Sequence, residues 1–300
     1  MLPGQFDVKG KTVVITGGSQ GLGAQLAQQV FQRGAHHVVI MARTEANLKS
    51  TIAKIEQHRV NEEQKLEYRA VDLSCYEEAE RALDGVEPDV VLFCAGASVP
   101  KLFTDLTPEE LKKGIDINLG TAANVAHIAF AKMCKAGKEP AVNGSRHLVF
   151  CSSVLAVFPF IGYGQYAPSK AAIRALADVL RHEGAPFGIR VHTVFAGNFA
   201  SEGFAVEEKT KPAITSTIEG ASSAITVERC AQIVLWFLDH GYETIFTDVV
   251  GWVLYSGMLG FSPRVLAIPQ AVLALLLALI TPIYMVFVRR DVASYFNKSK

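Results

Sequence analysis

Two hydrophobic rhythms take turns along this chain. Short β-branched runs at Thr12–Thr16, Val38–Met41, Leu66–Val71, Val90–Phe93, His147–Cys151, Arg190–Val194 and Glu243–Phe246 predict strands, several of them apolar throughout, as in a sheet covered on both faces. Between them, stretches with helical spacing predict helices over Gly21–Gln32, Glu45–Gln57, Glu77–Leu83, Glu109–Met133, Ser169–His182 and Val227–Asp239. Strict alternation of this kind, closed by right-handed crossovers, predicts an α/β fold: a doubly wound, mostly parallel Rossmann sheet with helices on both faces.

Three segments break the alternation. Gly137–Gly144, mixing Gly, Pro and Asn, is expected to be a loop. Asn198–Ile225 has no sustained period and is too long for an ordinary connection, so it reads as a lid over a substrate site. Ile268–Val288 is uncharged and apolar on every side; as a helix it would span about 31 Å, matching a hydrocarbon core of about 30 Å.

The expected division is therefore a catalytic domain over 1–250 and a membrane-anchoring region over 251–300. Arg289 and Arg290 follow the apolar span, whereas Arg264 alone closely precedes it, and the positive-inside rule keeps the Arg pair cytosolic. A hairpin with Gly251–Phe261 as its first arm and Pro263 as its bend leaves domain and tail on one side, and is favoured over a single crossing. Met1–Lys11 has no apolar core, so neither a signal peptide nor an N-terminal span is expected there.

Composition narrows the function. Half of the 300 residues are apolar, which excludes a disordered chain, and 29 basic against 29 acidic residues form no basic stripe, so nucleic acid is not an expected partner. The five cysteines are far apart with no CxxC pair, and the eight histidines include no HExxH. They read as reduced core thiols of a cytosol-facing domain without a metal site.

The first strand runs into Gly17-Gly18-Ser19-Gln20-Gly21-Leu22-Gly23 and then a helix. Glycines there allow a tight turn and close approach of a pyrophosphate, and the free N–H groups of the helix start would face its oxygens. The second strand ends Ile40-Met41-Ala42-Arg43, with no carboxylate for a ribose 2′-hydroxyl. A guanidinium can pair with a 2′-phosphate instead, which favours NADPH over NADH; the alternative for Arg43 is a solvated side chain at a helix entry.

Tyr166 and Lys170 are four residues apart at a predicted helix start, and Ser152-Ser153 closes a predicted parallel strand, where open α/β sheets build their sites. A hydride arriving on a carbonyl carbon creates an alkoxide that needs a proton and a nearby donor. A phenol can supply the proton, and a neighbouring ammonium eases formation of the phenolate.

In order and spacing, Thr16-Gly17-x-x-x-Gly21-Leu22-Gly23, Asn118, Ser153, Tyr166 and Lys170 resemble the short-chain dehydrogenase/reductase family over roughly the first 245 residues. The resemblance implies that Tyr166 exchanges a proton with the carbonyl oxygen, Ser153 hydrogen-bonds it, Lys170 holds the ribose and Asn118 supports a proton relay. It also implies a cofactor site of Gly17, Ser19, Gln20, Gly21, Leu22, Gly23, Arg43, Asp72, Leu73, Gly96 and Gly197, shared with Tyr166 and Lys170, in which Asp72 meets the adenine. Pairing as a homo-dimer or homo-tetramer through the helices near Glu109–Met133 and Ser169–His182 is a further implication.

The chain departs from the family pattern at Cys94-Ala95-Gly96, where Asn-Ala-Gly is frequent, and at Ala196-Gly197, where Pro-Gly is frequent. Cys94 removes an amide contact and Ala196 loosens a turn, while both glycines remain.

An anchored reductase with a long lid suits a lipid ketone, which partitions into the bilayer. Within the family, Asn198-Phe199-Ala200-Ser201-Glu202-Gly203-Phe204, the Cys94 turn and the tail ending Phe287-Val288-Arg289-Arg290 are similar to members that reduce 3-ketodihydrosphingosine to dihydrosphingosine with NADPH on the cytosolic face of the endoplasmic reticulum. A membrane-bound steroid or retinoid dehydrogenase is the alternative enzyme. A cofactor-binding scaffold without turnover is the alternative class, although both Tyr166 and Lys170 are kept.

Overall fold

The strand Thr12–Thr16 (β1) sends Val13 and Ile15 into one hydrophobic cluster and Val14 into another, so its alternation serves two cores at once. In the computed structural model, which describes residues 6–137, 146–220, 223–258, 260 and 262–298, the chain continues from β1 through α1 (Gly21–Gln32), β2 (His37–Ala42), α2 (Glu45–Glu56), β3 (Lys65–Ala70), α3 (Tyr76–Ala82) and β4 (Val90–Phe93). It then forms α4 (Pro108–Ile115), α5 (Thr121–Lys135), β5 (Arg146–Ser153), α6 (Ala167–Gly184) and β6 (Ile189–Ala196). The remainder is β7 (Phe199–Ala200), α7 (Glu202–Thr210), α8 (Ala213–Glu219), β8 (Ile225–Thr226), α9 (Val227–Asp239), β9 (Thr244–Phe246), α10 (Val249–Ser256) and α11 (Ala267–Lys298).

Among the described residues the main sheet has seven strands in the order β3-β2-β1-β4-β5-β6-β9, every pair parallel. This is the doubly wound arrangement expected from the alternation. Its order reverses between β1 and β4, and at such a switch point the strand ends open a crevice. Apolar residues of α1 and α9 fill one face, while α3, α5 and α6 fill the other. Four carbonyl-rich strand ends, those of β1, β4, β5 and β6, therefore point at the same opening.

The structure amends the sequence expectations in several places. The single helix expected over Glu109–Met133 is two helices joined by a π-helical segment, Asp116–Gly120, of the kind often found at functional sites. Asn198–Ile225 is not aperiodic: it holds β7, α7 and α8, with 221 and 222 outside the described residues. Beyond Gly137, the loop expected to Gly144 also lies outside them.

The hairpin arm expected over Gly251–Phe261 does not form a span. Its place is taken by α10, an eight-residue helix of about 12 Å whose Tyr255 is buried against Phe195 and Phe246 in the domain. A ring locked in the core cannot also sit in lipid. Residues 259 and 261 are outside the described set.

By contrast, α11 is long and apolar enough to cross a membrane, and nearly all of it is uncovered. Leu275, Leu279 and Ile283 are 70%, 72% and 62% exposed, a stripe at helical spacing that no part of the domain covers. The domain touches α11 on another side, where Leu277 meets Gly257 and Tyr284 approaches the Phe158 ring at 6.2 Å.

Candidate active site

Gly17 shows why the first turn is rich in glycine. Its φ of 69° is left-handed, and a Cβ there would stand 2.7 Å from the Cα of Ala95. Its N–H donates to the Met41 carbonyl at 2.8 Å, which ties the turn to the end of β2, and Thr51 Oγ1 donates to the Ser19 carbonyl at 2.8 Å from α2. The chain then enters α1 at Gln20, with no side chain capping the helix start and no acidic residue in its first turn. Uncapped N–H groups and an unopposed positive helix end are the features a phosphate requires.

This turn forms one end of a cavity of about 450 Å³. Ser19, Gln20, Gly21, Leu22 and Gly23 line it, as do Asp72 and Leu73 after β3 and Gly96 after β4. Arg43 stands exposed at its rim, and its charge acts on Asp72, whose carboxyl is held below the usual range chiefly by hydrogen bonding to Ser74. The residues present fit an NADP-type dinucleotide: donors without partners at the helix start, a cradle that a Cβ would fill, and a cation at the far end.

The other end of the cavity holds Ser153, Tyr166 and Lys170, together with Gly197. Ser153 ends β5, where its hydroxyl donates to the Ala196 carbonyl at 3.4 Å and accepts from the Leu155 N–H at 3.2 Å. Its neighbour Ser152 donates to the Lys170 carbonyl at 2.8 Å, so it joins strand to helix.

Tyr166 sits at the N-cap of α6, which starts two residues earlier than the sequence rhythm suggests, and its carbonyl accepts the Lys170 N–H at 3.1 Å. One helical turn thus carries both side chains to the same wall. Lys170 is buried; its ammonium lies 5.4 Å from the centre of the Tyr166 ring and donates to the Cys151 carbonyl at 2.8 Å.

Burial pushes the Tyr166 phenol above its ordinary range, the Glu207 carboxylate adds to this, and hydrogen bonding to Ser153 opposes it. Burial also lowers Lys170. The ammonium expected to ease phenolate formation is engaged with the Cys151 carbonyl, and Lys170 is not among the groups that shift the phenol, which burial pushes toward its protonated form.

Asn118 is the expected site residue that does not face the cavity. It is buried in the π-helical segment, where its Nδ2 donates to the carbonyls of Ala97 and Gly114 at 2.9 Å and its Oδ1 accepts the Ala97 N–H at 3.1 Å. In this way it clasps the chain after β4. A Cβ on Gly96 would meet Asn118 Oδ1 at 2.7 Å and Lys170 Nζ at 3.2 Å, so the amide and the ammonium flank one backbone position.

The substitution at Cys94 has a packing partner. Phe93 and Phe150 are paired in register and stack at 4.2 Å, and the next residues along, Cys94 and Cys151, bring their sulfurs to 3.5 Å. A thiol fills this floor where an amide would bring an extra polar group. Ala196 and Gly197 keep their place because the Gly197 N–H donates to Thr247 Oγ1 at 2.9 Å, and Asp248 packs against the space a Cβ would need.

The wall opposite the strand ends comes from α7, through Gly203, Phe204 and Glu207. Ser201 starts this helix by accepting the Phe204 N–H at 3.1 Å. The lid expected over Asn198–Ile225 does face the cavity, as a helix. Sequence reading missed Glu207 and its partner Tyr163, whose hydroxyl donates to Glu207 Oε1 at 2.6 Å. Neither belongs to a motif with fixed spacing.

Comparison with known proteins adds three findings. The pattern of the short chain dehydrogenase family matches residues 11–212. The chain is 40% identical to a 3-ketodihydrosphingosine reductase of Debaryomyces hansenii over 98% of its own length and 92% of that protein, and 43% identical to one of Yarrowia lipolytica over 97% and 79%. Among solved structures, a short-chain dehydrogenase from Sphingobium yanoikuyae in complex with NADPH superposes with a TM-score of 0.69 at 21% identity, covering 80% of this chain and 88% of that one, a likeness of fold.

Proposed function

The chain belongs to the short chain dehydrogenase family, and from that premise we propose that it reduces 3-ketodihydrosphingosine to dihydrosphingosine with NADPH, a step of sphingolipid synthesis. One observation carries this reading: the similarity to reductases of that substrate runs over 98% of the chain, through the apolar α11 as well as the catalytic domain.

NADPH, when bound, supplies the hydride that reaches the carbonyl carbon. The protein's own residues do the rest. Uncapped N–H groups at the start of α1, with Gly17, Ser19, Gln20, Gly21, Leu22 and Gly23 around them, hold the pyrophosphate. Arg43 pairs with the 2′-phosphate, Asp72 and Leu73 border the adenine, and Gly96 and Gly197 let the backbone approach.

Ser153 and Tyr166 donate to the ketone oxygen, and Tyr166 delivers its proton as the oxygen becomes an alkoxide. A phenol held protonated by burial suits reduction, because the acid is present in the form that donates. Lys170 orients the ribose from its bond to the Cys151 carbonyl, and Asn118, in support of the proton relay, positions the turn after β4 that carries Gly96 beside Lys170.

The proposed division is a catalytic domain over 1–250 and an anchoring region over 251–300, with α10 as a linker packed on the former. We propose that α11 anchors the enzyme in the endoplasmic reticulum membrane with the domain facing the cytosol, an orientation that in a single crossing sets Arg289 and Arg290 against the positive-inside preference, and that the protein works as a homo-dimer or homo-tetramer. Detergent-purified protein given NADPH and 3-ketodihydrosphingosine, with a ketosteroid and a retinal as comparators, tests the reading. Selective oxidation of NADPH by the sphingoid ketone is expected; preference for either comparator overturns it.

A further inference from the structure

The catalytic cavity contains one carboxylate that neither the cofactor nor the proton transfer requires. Glu207 projects from α7 into the end of the cavity that holds Ser153 and Tyr166, and its charge reaches the Tyr166 phenol. It is partly buried, it accepts a hydrogen bond from Tyr163 Oη at 2.6 Å, and among the described residues it enters no ion pair. Lys209, the nearest cation in sequence, is exposed, and Lys211, whose charge reaches Glu207, is itself bonded to Glu208 and Glu219.

An anion held partly out of water is unfavourable, and burial pushes the Glu207 carboxyl above its ordinary range, with the Tyr163 hydrogen bond and the charge of Lys211 opposing the shift. Tyr163 is buried and packs between Phe160 and Tyr166, with ring centres at 5.2 and 6.3 Å, so the carboxylate is fixed in place. A fixed carboxylate beside the reacting atoms, whose neighbouring cation Lys211 is already bonded to two other carboxylates, is built to receive a positive group from the ligand.

We propose that Glu207 is a specificity-determining residue that receives the ammonium group on the carbon next to the ketone, so that the site selects 2-amino ketones over plain ketones. The inference rests on the proposed substrate, whose amino group is bonded to the carbon adjoining the carbonyl. Once the carbonyl oxygen takes hydrogen bonds from Ser153 and Tyr166, the ammonium can lie only a short distance away, in the region Glu207 faces. Tyr163 is the positioning residue: its hydroxyl occupies one carboxylate oxygen and leaves the other for the ligand.

The test compares two ketones of equal chain length, 3-ketodihydrosphingosine and its analogue lacking the 2-amino group, with full-length protein in detergent at saturating NADPH. Wild type is expected to favour the amino ketone in kcat/KM by on the order of tenfold or more, as a charge-assisted contact allows. Glu207→Gln removes most of that preference, chiefly through KM for the amino ketone, while NADPH binding by fluorescence titration stays as in wild type. Glu207→Asp, which keeps the charge on a shorter stem, retains part of the preference, and Tyr163→Phe weakens it.

If Glu207→Gln keeps the full preference, or lowers turnover of both ketones equally, the carboxylate is structural and the inference is overturned. A wild-type enzyme that reduces the amino ketone without favouring it over the analogue overturns the inference alone. One that reduces neither overturns the proposed function as well, which separates the two failures.

Discussion

The ammonium of Lys170 donates to the backbone carbonyl of Cys151 at 2.8 Å, joining the catalytic helix to the end of β5. Lys170→Met would strip a buried carbonyl of its donor, at about 1–3 kcal/mol, and remove the proposed ribose contact. Denaturant unfolding should show the lower stability and NADPH titration the weaker affinity. Wild-type values in both would deny Lys170 either role.

Tyr166→Phe should keep NADPH binding and the fold but lose turnover by roughly 10²–10⁴, the usual share of a positioned acid. Because burial raises the phenol, the donating form persists into alkaline solution, and ketone reduction by wild type should not decline through pH 9 on account of this group. A sharp fall between pH 7 and pH 8 that Tyr166→Phe abolishes would contradict the assignment.

Arg43 is exposed, so solvent screens its attraction for a phosphate. Arg43→Ala is expected to reduce the ratio of kcat/KM for NADPH over NADH by on the order of tenfold, with the loss on NADPH. An unchanged ratio would make Arg43 a solvated side chain at a helix entry.

Two histidines predict how stability depends on pH. His192 Nδ1 lies 2.8 Å from the Tyr242 carbonyl, which can only accept, so Nδ1 carries the proton and Nε2 accepts from His147 Nδ1 at 2.9 Å. Burial pushes His192 down to about 3 and His147 well below the ordinary range. In the unfolded chain both take up protons below about pH 6.5, whereas in the folded chain His192 stays neutral down to about pH 3 and His147 stays neutral well below its ordinary range. The unfolded state then binds more protons, and stability present above pH 6.5 is lost as pH falls, by up to about 1.4 kcal/mol per pH unit for each ring. Unfolding midpoints should drop between pH 7.5 and pH 5.5, and His192→Asn should flatten that drop; equal slopes would exonerate the pair.

Ending the chain after Leu266 removes α11 and should move the protein from an alkali-washed membrane pellet to the supernatant. The twelve large aliphatic and Phe positions of Ile268–Val288 contribute about 0.3–0.6 kcal/mol each when central in a bilayer. Retention of the shortened chain in the pellet would place the anchor elsewhere.

The sheet was legible because its strands are apolar runs bounded by glycine and polar turns, and β1, β4 and α1 have the boundaries their sequence rhythm predicts. The site was legible where motif spacing follows backbone geometry: a left-handed Gly17, a strand-end Ser153, and Tyr166 and Lys170 one turn apart. The helix α7 was not, because it buries no residue of its own and so shows no amphipathic stripe; its Ser201 cap and ion pairs of Lys211 support it instead. Glu207 was hidden for the same reason, since only the fold brings residue 207 against residue 163. Asn118 was found by pattern, yet its two-sided clasp on Ala97 depends on a π-helical turn that no periodicity announces.

Few residues separate the end of α10 at Ser256 from the start of α11 at Ala267. With α11 seated in a bilayer, so short a leash confines the catalytic domain to two dimensions, within reach of the headgroups. Turnover should then track the mole fraction of ketone among the lipids rather than its bulk molarity, and diluting the membrane with inert lipid at constant total ketone should slow the enzyme.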